Sequence, residues 1–464
     1  MSFKMTTLGE YAKVQGGFAY KSKDFIGASE YRVLKIKNVR FGTIDYSEPA
    51  FVPKNIAEST INWKLKEGDI LISMTGSGPN APQSLVGRVA RVWKNEPDAW
   101  FNQRVGRINL VDNKKIHPDF IFYWLSLPQN QDFLVANSSG SANQANISGK
   151  TIESLPTPIV DYEISSAIAK IARELDEKII LNTQINQTLE KIAQAIFKSW
   201  FVDFDPVKAK IETLAAGGSA DDAELAAMSV ISFKALDELS ILKASNPEAF
   251  NKLAQTAALF PAAMQDTELG EIPEGWGIKS IYDICNVIYG APFKSKLFNT
   301  DKKGLPLVRI RDLKNESPGV FTEEVHSKGY LIQNGDIVVG MDGEFRPYIW
   351  GGNEAWMNQR VCCFKPTNEN HTYLVRNFID SQLSHFEKTA TATTVIHLGK
   401  GDIDTFSYID AGEKIFNLYA EKTSSLCEYF VRNKIESLTL SQLRDSLLPK
   451  LLSGEIDLTS EVTA

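Results

Sequence analysis

The chain contains two copies of one sequence pattern, and this duplication constrains its fold more than any single motif does. Five short segments of the first half recur in the same order in the second half, and the shift between equivalent residues changes only as loop lengths would. One chance match would be unremarkable, but five collinear matches predict two copies of one domain. The matched segments are Lys21–Phe25 with Lys294–Phe298, Val33–Val39 with Leu307–Leu313, Gly68–Ile70 with Gly335–Ile337, Ala99–Val105 with Ala355–Val361, and Asn146–Ile147 with His397–Leu398.

Within each copy, the matched segments predict short β-strands. Val33–Val39 and Leu307–Leu313 alternate apolar with basic or polar residues, which is the period of a half-exposed strand. Ile70–Ile72 and Ile337–Val339 are short aliphatic runs that each follow a Gly-Asp turn. We therefore expect each copy to be a mixed but β-rich domain of about 150 residues.

A long amphipathic helix is predicted after each copy. In the first, apolar residues follow a heptad pattern in which Lys178 and Asn182 fill two polar positions. Because neither helix can bury its apolar stripe alone, we expect the two to pack antiparallel, with the copies at opposite ends. The stripe positions are Ile164, Ile168, Ile171, Leu175, Ile185, Leu189, Ile192 and Ile196 in the first helix and Phe416, Tyr419, Leu426 and Phe430 in the second.

These patterns predict an α+β chain with two β-rich domains related by internal duplication, separated by two long antiparallel coiled-coil-like helices. Glycines and small residues indicate a loop at 215–220, and further helix is expected over 221–262. The predicted segments are a first β-rich domain at 1–160, a central helical spacer at 161–265, a second β-rich domain at 266–412 and a C-terminal helical region at 413–464.

Charge is distributed unevenly along the 464 residues. The chain has 50 Lys and Arg against 57 Asp and Glu, a formal net charge of −7, which by itself argues against a nucleic-acid-binding protein. Seven basic residues nevertheless fall within 13–40 and seven more within 294–314, at equivalent places of the two copies. A secretory signal, a membrane-spanning run of ~18 apolar residues and a disulfide framework are all lacking, so we expect a cytoplasmic protein without a membrane partner.

The motifs that could carry catalysis are incomplete. Ser148–Thr151 resembles the end of a phosphate-binding loop but lacks its upstream glycine, because Gln144 occupies that position. Asp203 and Asp205 lie between aromatic residues, where a structural or subunit-contact role is favoured. Cys362–Cys363 has no metal-ligand spacing and is expected to be a buried pair of thiols. We therefore expect no catalytic residue, metal or cofactor in this chain.

The basic segments and the polar loops beside them form the candidate DNA-binding set. Lys and Arg neutralise phosphates, whereas Asn, Gln, Arg and Ser read base edges. The Asn-Gln-Arg triplet at 102–104 and 358–360 is identical in both copies, so a structural turn and a DNA contact are equally favoured there. The candidates are Lys21, Lys23, Lys35, Lys37, Arg40, Ser77, Asn80, Gln83, Gln103, Arg104, Asn143, Gln144 and Asn146 in the first copy and Lys294, Lys296, Arg309, Arg311, Asp342, Glu344, Arg346, Gln359, Arg360, Thr394 and His397 in the second.

Three strings resemble the specificity subunits of type I restriction–modification systems. They are IFKSWFVDFDPVKAK at 196–210, DTELGEIPEGW at 266–276 and SLLPKLLSGEIDL at 446–458. The resemblance implies that the two β-rich domains, 1–160 and 266–412, are target-recognition domains of a non-catalytic subunit, each of which reads one half-site of a bipartite target in double-stranded DNA. It also implies two modification subunits that carry S-adenosylmethionine, and restriction or motor subunits that use ATP. The residues expected to contact other subunits are Phe197, Trp200, Phe201, Phe204, Leu447, Leu448 and Leu451.

Two other functions are weighed against this interpretation. A two-lobed scaffold whose copies bind protein, with DNA incidental, is compatible with the repeat and the helices alone. A self-contained restriction enzyme would need catalytic motifs, which the sequence lacks.

Overall fold

The computed structural model describes residues 3–78, 85–141, 144–268, 270–389, 396–456 and 458. Contacts divide the chain into two compact units, which are described separately. Unit 1 comprises Met1–Lys178 with Leu440–Ala464, and unit 2 comprises Ile179–Thr439. Because this division cuts both long helices, it differs from the four segments drawn from the sequence, whose boundaries stay a prediction.

The first copy is built from short strands and four short helices. Its helices are α1 (Lys54–Ser59), α2 (Pro118–Ser126), α3 (Pro128–Ala136) and α4 (Gly149–Glu153). Its strands are β1 (Met5–Thr7), β2 (Ala12–Gly16), β3 (Arg32–Leu34), β4 (Ala50–Phe51), β5 (Ile70–Ser73), β6 (Thr75–Gly76), β7 (Val89–Arg91), β8 (Ala99–Phe101), β9 (Val105–Leu110), β10 (Ser139–Ser141), β11 (Gln144–Asn146) and β12 (Pro156–Pro158).

Two sheets form the centre of the first copy. One is antiparallel with strand order β2-β9-β5-β7, and in it Ile70 lies opposite Ile108. The other has the order β4-β3-β8, with β3 and β8 parallel. All four residues of β5 are buried, as the aliphatic run predicted, and Leu71 packs in a core with Leu34 and Phe101.

The segment between the copies consists of five helices joined by short loops in the described residues. It begins with the 40-residue α5 (Tyr162–Phe201), followed by α6 (Asp205–Ala215), α7 (Ala220–Ser232), α8 (Leu236–Ser245) and α9 (Pro247–Ala257). The predicted loop lies between α6 and α7, where the Ser219 hydroxyl accepts a hydrogen bond from the Asp222 N–H at 3.2 Å and caps α7. The loop is thus confirmed, and the helix expected over 221–262 is confirmed as three helices that end at Ala257.

The second copy and the C-terminal region complete the chain. Their helices are α10 (Thr372–Thr389), α11 (Lys400–Ile403) and the 41-residue α12 (Glu413–Ser453). The strands are β13 (Met264–Thr267), β14 (Gly270–Pro273), β15 (Gly277–Ser280), β16 (Cys285–Tyr289), β17 (Phe298–Asn299), β18 (Leu305–Val308), β19 (Phe321–Thr322), β20 (Leu331–Ile332), β21 (Ile337–Gly340), β22 (Tyr348–Ile349), β23 (Ala355–Met357), β24 (Val361–Pro366) and β25 (Ser407–Asp410).

The two copies predicted from the sequence share the same strand topology. The order β16-β24-β21-β22 repeats β2-β9-β5-β7, and the parallel pair β18-β23 repeats β3-β8. A close backbone approach is repeated as well. A Cβ atom would lie 2.1 Å from the carbonyl oxygen of Asn102 if added to Gly17, and 2.0 Å from that of Asn358 if added to Gly290. Both positions therefore require glycine.

The strands predicted over Val33–Val39 and Leu307–Leu313 end earlier than expected. β3 stops at Leu34 and β18 at Val308, and a 3₁₀ turn follows each strand. The turns form because the side chains of Asn38 and Asp312, both buried, accept hydrogen bonds from the backbone N–H of Lys35 at 2.8 Å and of Arg309 at 3.0 Å. The second half of the predicted strand is therefore wrong in both copies.

Within unit 2, α5 and α12 run antiparallel. The Asn182 amide donates to the Glu436 carboxylate at 2.8 Å, and the Asn186 amide donates to the Phe430 carbonyl at 3.0 Å. Further along, the Tyr419 hydroxyl donates to the Ala193 carbonyl at 3.0 Å. Residue numbers therefore rise along one helix as they fall along the other, as predicted for the helix pair.

The buried face of α5 is rotated from the predicted one. Ile168 and Leu189 are buried as expected, but Ile192 is 43 % exposed and Ile171 and Ile185 are only partly buried. Small or polar residues one position later take the place of these three isoleucines. They are Ala172, Asn186 and Ala193. Short side chains permit a close approach of the backbones, which a count of apolar residues does not register. Ile192 is therefore wrong as a stripe position, whereas Ile185 and Ile196 are partly buried and pack against the core of unit 2.

The aromatic residues at the end of α5 lie in the core of unit 2. Phe201 has ring centroids of Phe378, Phe416 and Tyr419 within 5.8 Å of its own. The expected contacts with other subunits stay a prediction, to which the structure adds a role within the chain. The side chains of Phe197, Trp200, Phe201, Phe204, Leu448 and Leu451 are buried, and that of Leu447 is partly buried.

No helix in the described part of the chain is both long and apolar enough to cross a membrane.

The stability of unit 1 is expected to depend on Glu96. Burial raises the pKa of Glu96 to about 7, although its carboxylate accepts hydrogen bonds from the Trp93 N–H and the Tyr46 hydroxyl. Because the folded state takes up this proton at a higher pH than the unfolded chain does, Glu96 contributes more to the stability of unit 1 as the pH falls from about 8 towards 5. We expect Glu96→Gln to stabilise unit 1 by about 1–2 kcal/mol at pH 8 and to flatten this dependence.

Thermal unfolding of the full chain at pH 8 and pH 5.5 measures the effect. Glu67→Gln, at an exposed neighbouring position, is the matched control and should leave the melting temperatures at both pH values unchanged. Equal destabilisation by Glu96→Gln at both pH values would contradict the prediction.

Candidate nucleic-acid interface

In the first copy, the Asn-Gln-Arg triplet is a turn that ties three segments together. The first two N–H groups of Asn102–Arg104 donate to the carbonyls of Leu34 and Phe18, and its last carbonyl accepts from the Met74 N–H, each at 2.9 Å. Phe18 precedes the Lys21–Lys23 segment and Leu34 precedes the second basic segment. The turn therefore holds the starting points of the two lysine-bearing segments, residues 21–23 and 35–40, next to each other.

The second copy repeats this arrangement around Asn358–Arg360. The first N–H of the turn donates to the Val308 carbonyl at 3.1 Å, and the last carbonyl accepts from the Met341 N–H at 2.9 Å. The shared hydrogen bonds are a structural reason for the identity of the two triplets. The side chains of Gln103, Arg104, Gln359 and Arg360 are exposed, and their DNA contacts stay a prediction.

The first basic segment of each copy, residues 21–23 and 294–296, carries positive charges that no described carboxylate neutralises by an ion pair. Lys21 and Lys23 flank Ser22 on a 3₁₀ turn, and Lys294 and Lys296 occupy the equivalent turn of the second copy. All four side chains are exposed, and among the described residues none of them has an ion-pair partner. These amines are suited to phosphate contacts.

The second basic segment, residues 35–40 in the first copy and 309–311 in the second, is partly neutralised by nearby carboxylates. Lys37 pairs with Glu48 at 2.8 Å, and Arg40 pairs with Asp45 at 3.1 Å. Hydrogen bonds from Ser47, with Arg40 adding to them, lower the pKa of Asp45, so this carboxylate stays charged. The remaining members are placed as follows: Lys35 Nζ lies 4.2 Å from the centroid of the Phe25 ring, Arg309 pairs with Asp312 at 3.0 Å, and Arg311 is exposed.

The loop ends of the two copies carry different side chains on the same backbone. Thr75 bridges to Asn146 in the first copy, and their side chains are hydrogen-bonded at 2.7 Å. At the equivalent bridge of the second copy, Asp342 Oδ1 lies 2.6 Å from His397 Nδ1. The Nε atom of Arg360 lies 3.4 Å from the other oxygen of Asp342. The neutral Thr75–Asn146 pair of the first copy thus corresponds to a charged cluster of Asp342, Arg360 and His397 in the second.

The other candidates are divided between these loops and the undescribed segments. Arg346 pairs with Glu387 at 2.9 Å and with Glu344 at 3.4 Å, and the Glu387 carboxylate raises the pKa of Arg346. Gln144 is exposed on β11, and the Ser77 carbonyl accepts from the Val86 N–H at 3.2 Å. Asn80, Gln83, Asn143 and Thr394 lie outside the described residues.

One functional residue was not predicted. Arg88 is buried beneath the second basic segment, where its Nε and Nη2 atoms donate to the carbonyls of Val39 and Ile36, both at 2.9 Å. Burial lowers the pKa of Arg88. The signal available in the sequence was an isolated arginine beside an aliphatic strand, and it lay outside the basic runs.

Two motifs weighed for catalysis have structural roles. The Ser148 hydroxyl accepts from the Thr151 N–H at 3.1 Å and begins α4. Cys362 and Cys363 are fully buried, as expected, and burial raises the pKa of the Cys362 thiol to about 12.

Fold and site together define a duplicated recognition protein, in which two equivalent loop clusters present different polar side chains on one framework. A sequence profile described as "Type I restriction modification DNA specificity domain" matches residues 2–191 and 273–407, which include most of both copies. The chain belongs to this family.

Two relatives found by sequence agree with the family. The chain is 34 % identical over 358 residues to the "Type I restriction enzyme HindI specificity subunit" of Haemophilus influenzae, covering 73 % of this chain and 77 % of that protein. It is 23 % identical over 484 residues to the MjaIX specificity subunit of Methanocaldococcus jannaschii, covering 98 % and 96 %. A solved S subunit from M. genitalium matches over 97 % of this chain and 96 % of its own, at 14 % identity and a TM-score of 0.49.

Proposed function

We propose that this chain selects the DNA sequence on which a type I restriction–modification complex acts, each copy reading one half of a bipartite target. The observation that carries the proposal is the pair of equivalent loop clusters. The same backbone bridge holds Thr75 and Asn146 in one copy and Asp342 and His397 in the other. A constant framework with variable side chains suits two domains that read different sequences.

The long helices are proposed to set the unread gap between the half-sites. α5 has 40 residues and α12 has 41, so each is about 60 Å long at ~1.5 Å per residue. A rigid helix pair of constant length favours targets whose half-sites lie a fixed distance apart.

The partners follow from membership of the family. A type I specificity subunit works in a complex with other restriction–modification subunits and with DNA. The specific assembly we propose has two modification subunits that hold S-adenosylmethionine, together with restriction or motor subunits that use ATP. In this assembly the chain is non-catalytic, and partner subunits that enclose the DNA offset its net charge of −7.

Methylome sequencing of cells that express the chain with its modification partner tests the proposal. We expect one bipartite motif that disappears when the chain is omitted. Methylation that is absent or independent of this chain, combined with stable binding to other proteins, would favour the scaffold alternative.

Lys21 and Lys294, which have no ion-pair partner among the described residues, predict how DNA binding depends on salt. We expect Lys21→Gln and Lys294→Gln each to weaken binding to all DNA sequences and to reduce the slope of log K against log salt by about 1. The measurement is a titration of the complex with duplex DNA between 50 and 200 mM salt.

Lys252→Gln is the matched control for this titration, because Lys252 is exposed on α9 and pairs with Glu421 at 2.9 Å. It should leave the slope unchanged. Loss of binding confined to one sequence would instead assign Lys21 or Lys294 to base readout.

A further inference from the structure

The structure assigns a base-reading role to one charged cluster of the second copy, an inference that rests on the proposed function. Asp342, Arg360 and His397 belong to three separate segments that meet at the end of β21. We propose that Arg360 reads a guanine of the second half-site, and that Asp342 is the positioning residue that holds its guanidinium.

Backbone hydrogen bonds place the three residues next to one another. The Met341 N–H donates to the Arg360 carbonyl at 2.9 Å, and the Leu398 N–H donates to the Met341 carbonyl at 2.8 Å. The Gly343 N–H donates to the Ile396 carbonyl at 3.0 Å. Segments 341–343, 358–360 and 396–398 therefore form one unit, and side chains on such a unit are preorganised for recognition.

The Asp342 carboxylate is held on both of its oxygens. Oδ1 lies 2.6 Å from His397 Nδ1, and Oδ2 lies 3.4 Å from Arg360 Nε. The Asp342 side chain is 22 % exposed, whereas Arg360 is 54 % and His397 59 % exposed. The carboxylate thus lies behind two accessible side chains and approaches the Nε side of the guanidinium. Within the described residues neither Nη group has a hydrogen-bond or ion-pair partner, so both are available for a bidentate contact.

The charge of the cluster favours a base edge over a phosphate. A phosphate at Arg360 would also face the Asp342 carboxylate, and like charges repel. The Glu324 carboxylate accepts a hydrogen bond from the backbone N–H of Lys294 at 2.8 Å, but the side-chain amines of Lys294 and Lys296 have no ion-pair partner among the described residues and suit phosphates better. Guanine presents the O6 and N7 acceptors in the major groove, which match the paired donors of an arginine.

The first copy lacks this cluster at the equivalent position. Thr75 replaces Asp342 and Asn146 replaces His397, while Arg104 corresponds to Arg360. In the described part of the first copy, Arg104 has no ion-pair partner. The two copies therefore hold the same arginine differently, which makes Arg104→Gln a matched control for Arg360→Gln.

The experiment uses the full chain in complex with its modification partner. The wild-type motif is selected from a randomised duplex pool, and binding is then measured to duplexes that carry each single substitution in that motif. We expect one guanine of the second half-site at which Arg360→Gln lowers discrimination about 5- to 150-fold while the first half-site is unaffected. Arg104→Gln should leave discrimination at that guanine intact.

Asp342→Ala separates positioning from folding. We expect it to reduce discrimination at the same guanine about 5- to 10-fold without weakening the binding of non-target DNA, since a negative charge is removed. Asp342→Asn, which keeps an acceptor oxygen, should restore part of the discrimination. Loss of both target and non-target binding would show a merely structural role and overturn the positioning role.

The remaining outcomes distinguish the two proposals. A wild-type complex that selects a bipartite motif with no guanine sensitive to Arg360→Gln would overturn the inference and leave the proposed function standing. Uniform loss across all sequences would assign Arg360 to a phosphate and would also overturn it. A wild-type complex that selects no motif would overturn the proposed function, and the inference with it.

Discussion

Inserting four residues into each of α5 and α12 is expected to widen the unread gap of the DNA target by about two base pairs. Four helical residues add ~6 Å and turn the helix by ~40° beyond one full turn. At ~3.4 Å per base pair, this length corresponds to about two base pairs. The half-sites themselves should not change, because no recognition loop is altered.

The described contacts indicate where the insertions belong. In unit 1, Arg444 pairs with Asp176, and in unit 2, the amide of Asn182 donates to Ser437 at 3.3 Å. Insertions after residue 179 of α5 and after residue 440 of α12 leave both contacts intact. Methylome sequencing reads the new gap directly.

Two control insertions make the result specific. Four residues placed in the loop between α6 and α7 should leave the gap unchanged, since this loop is outside both long helices. Two residues placed in each helix add ~3 Å but turn it by ~200°, so methylation should be lost. An unchanged gap after the paired four-residue insertions would refute the role of the helices in spacing.

The largest effect on stability is expected from Asp119→Ala. The Asp119 carboxylate on α2 is 3 % exposed and pairs with Arg91 Nε at 2.7 Å and with Arg173 Nη1 at 3.2 Å. Its removal leaves the Arg91 guanidinium buried without a counter-charge, which costs about 3–5 kcal/mol. We therefore expect the free energy of unfolding of unit 1 to fall by about this amount. The ion pair that joins α2 to α5 through Arg173 is lost as well.

Urea unfolding of the full chain, followed by hydrogen exchange of peptides from each unit, measures this loss. Glu177→Ala is the control, because Glu177 also pairs with Arg173, at 3.6 Å, but is 58 % exposed. It should cost no more than about 0.5 kcal/mol. A similar loss in both variants, or equal loss of protection in unit 2, would contradict the prediction.

Several features of the site were predictable because their signals are local. Lys21 and Lys294 were identified as candidates from repeated strings, and the structure places them on equivalent exposed turns. The Asn102–Arg104 triplet was predicted as either a turn or a DNA contact, and only its backbone hydrogen bonds showed the structural role. Arg88 was missed, because its partners are carbonyl groups about 50 residues away in the chain.

The order of residues alone determined the duplication, the two long helices and the loops that carry the polar side chains, since repeats and periodicity are properties of neighbours in sequence. The tertiary structure decided which face of α5 is buried, because Ala172 and Ala193 are buried there while the more hydrophobic neighbours Ile171 and Ile192 are partly buried and exposed. It also decided that Asp342 meets His397, 55 residues further along. Such a contact depends on how distant segments pair, and no local pattern records that.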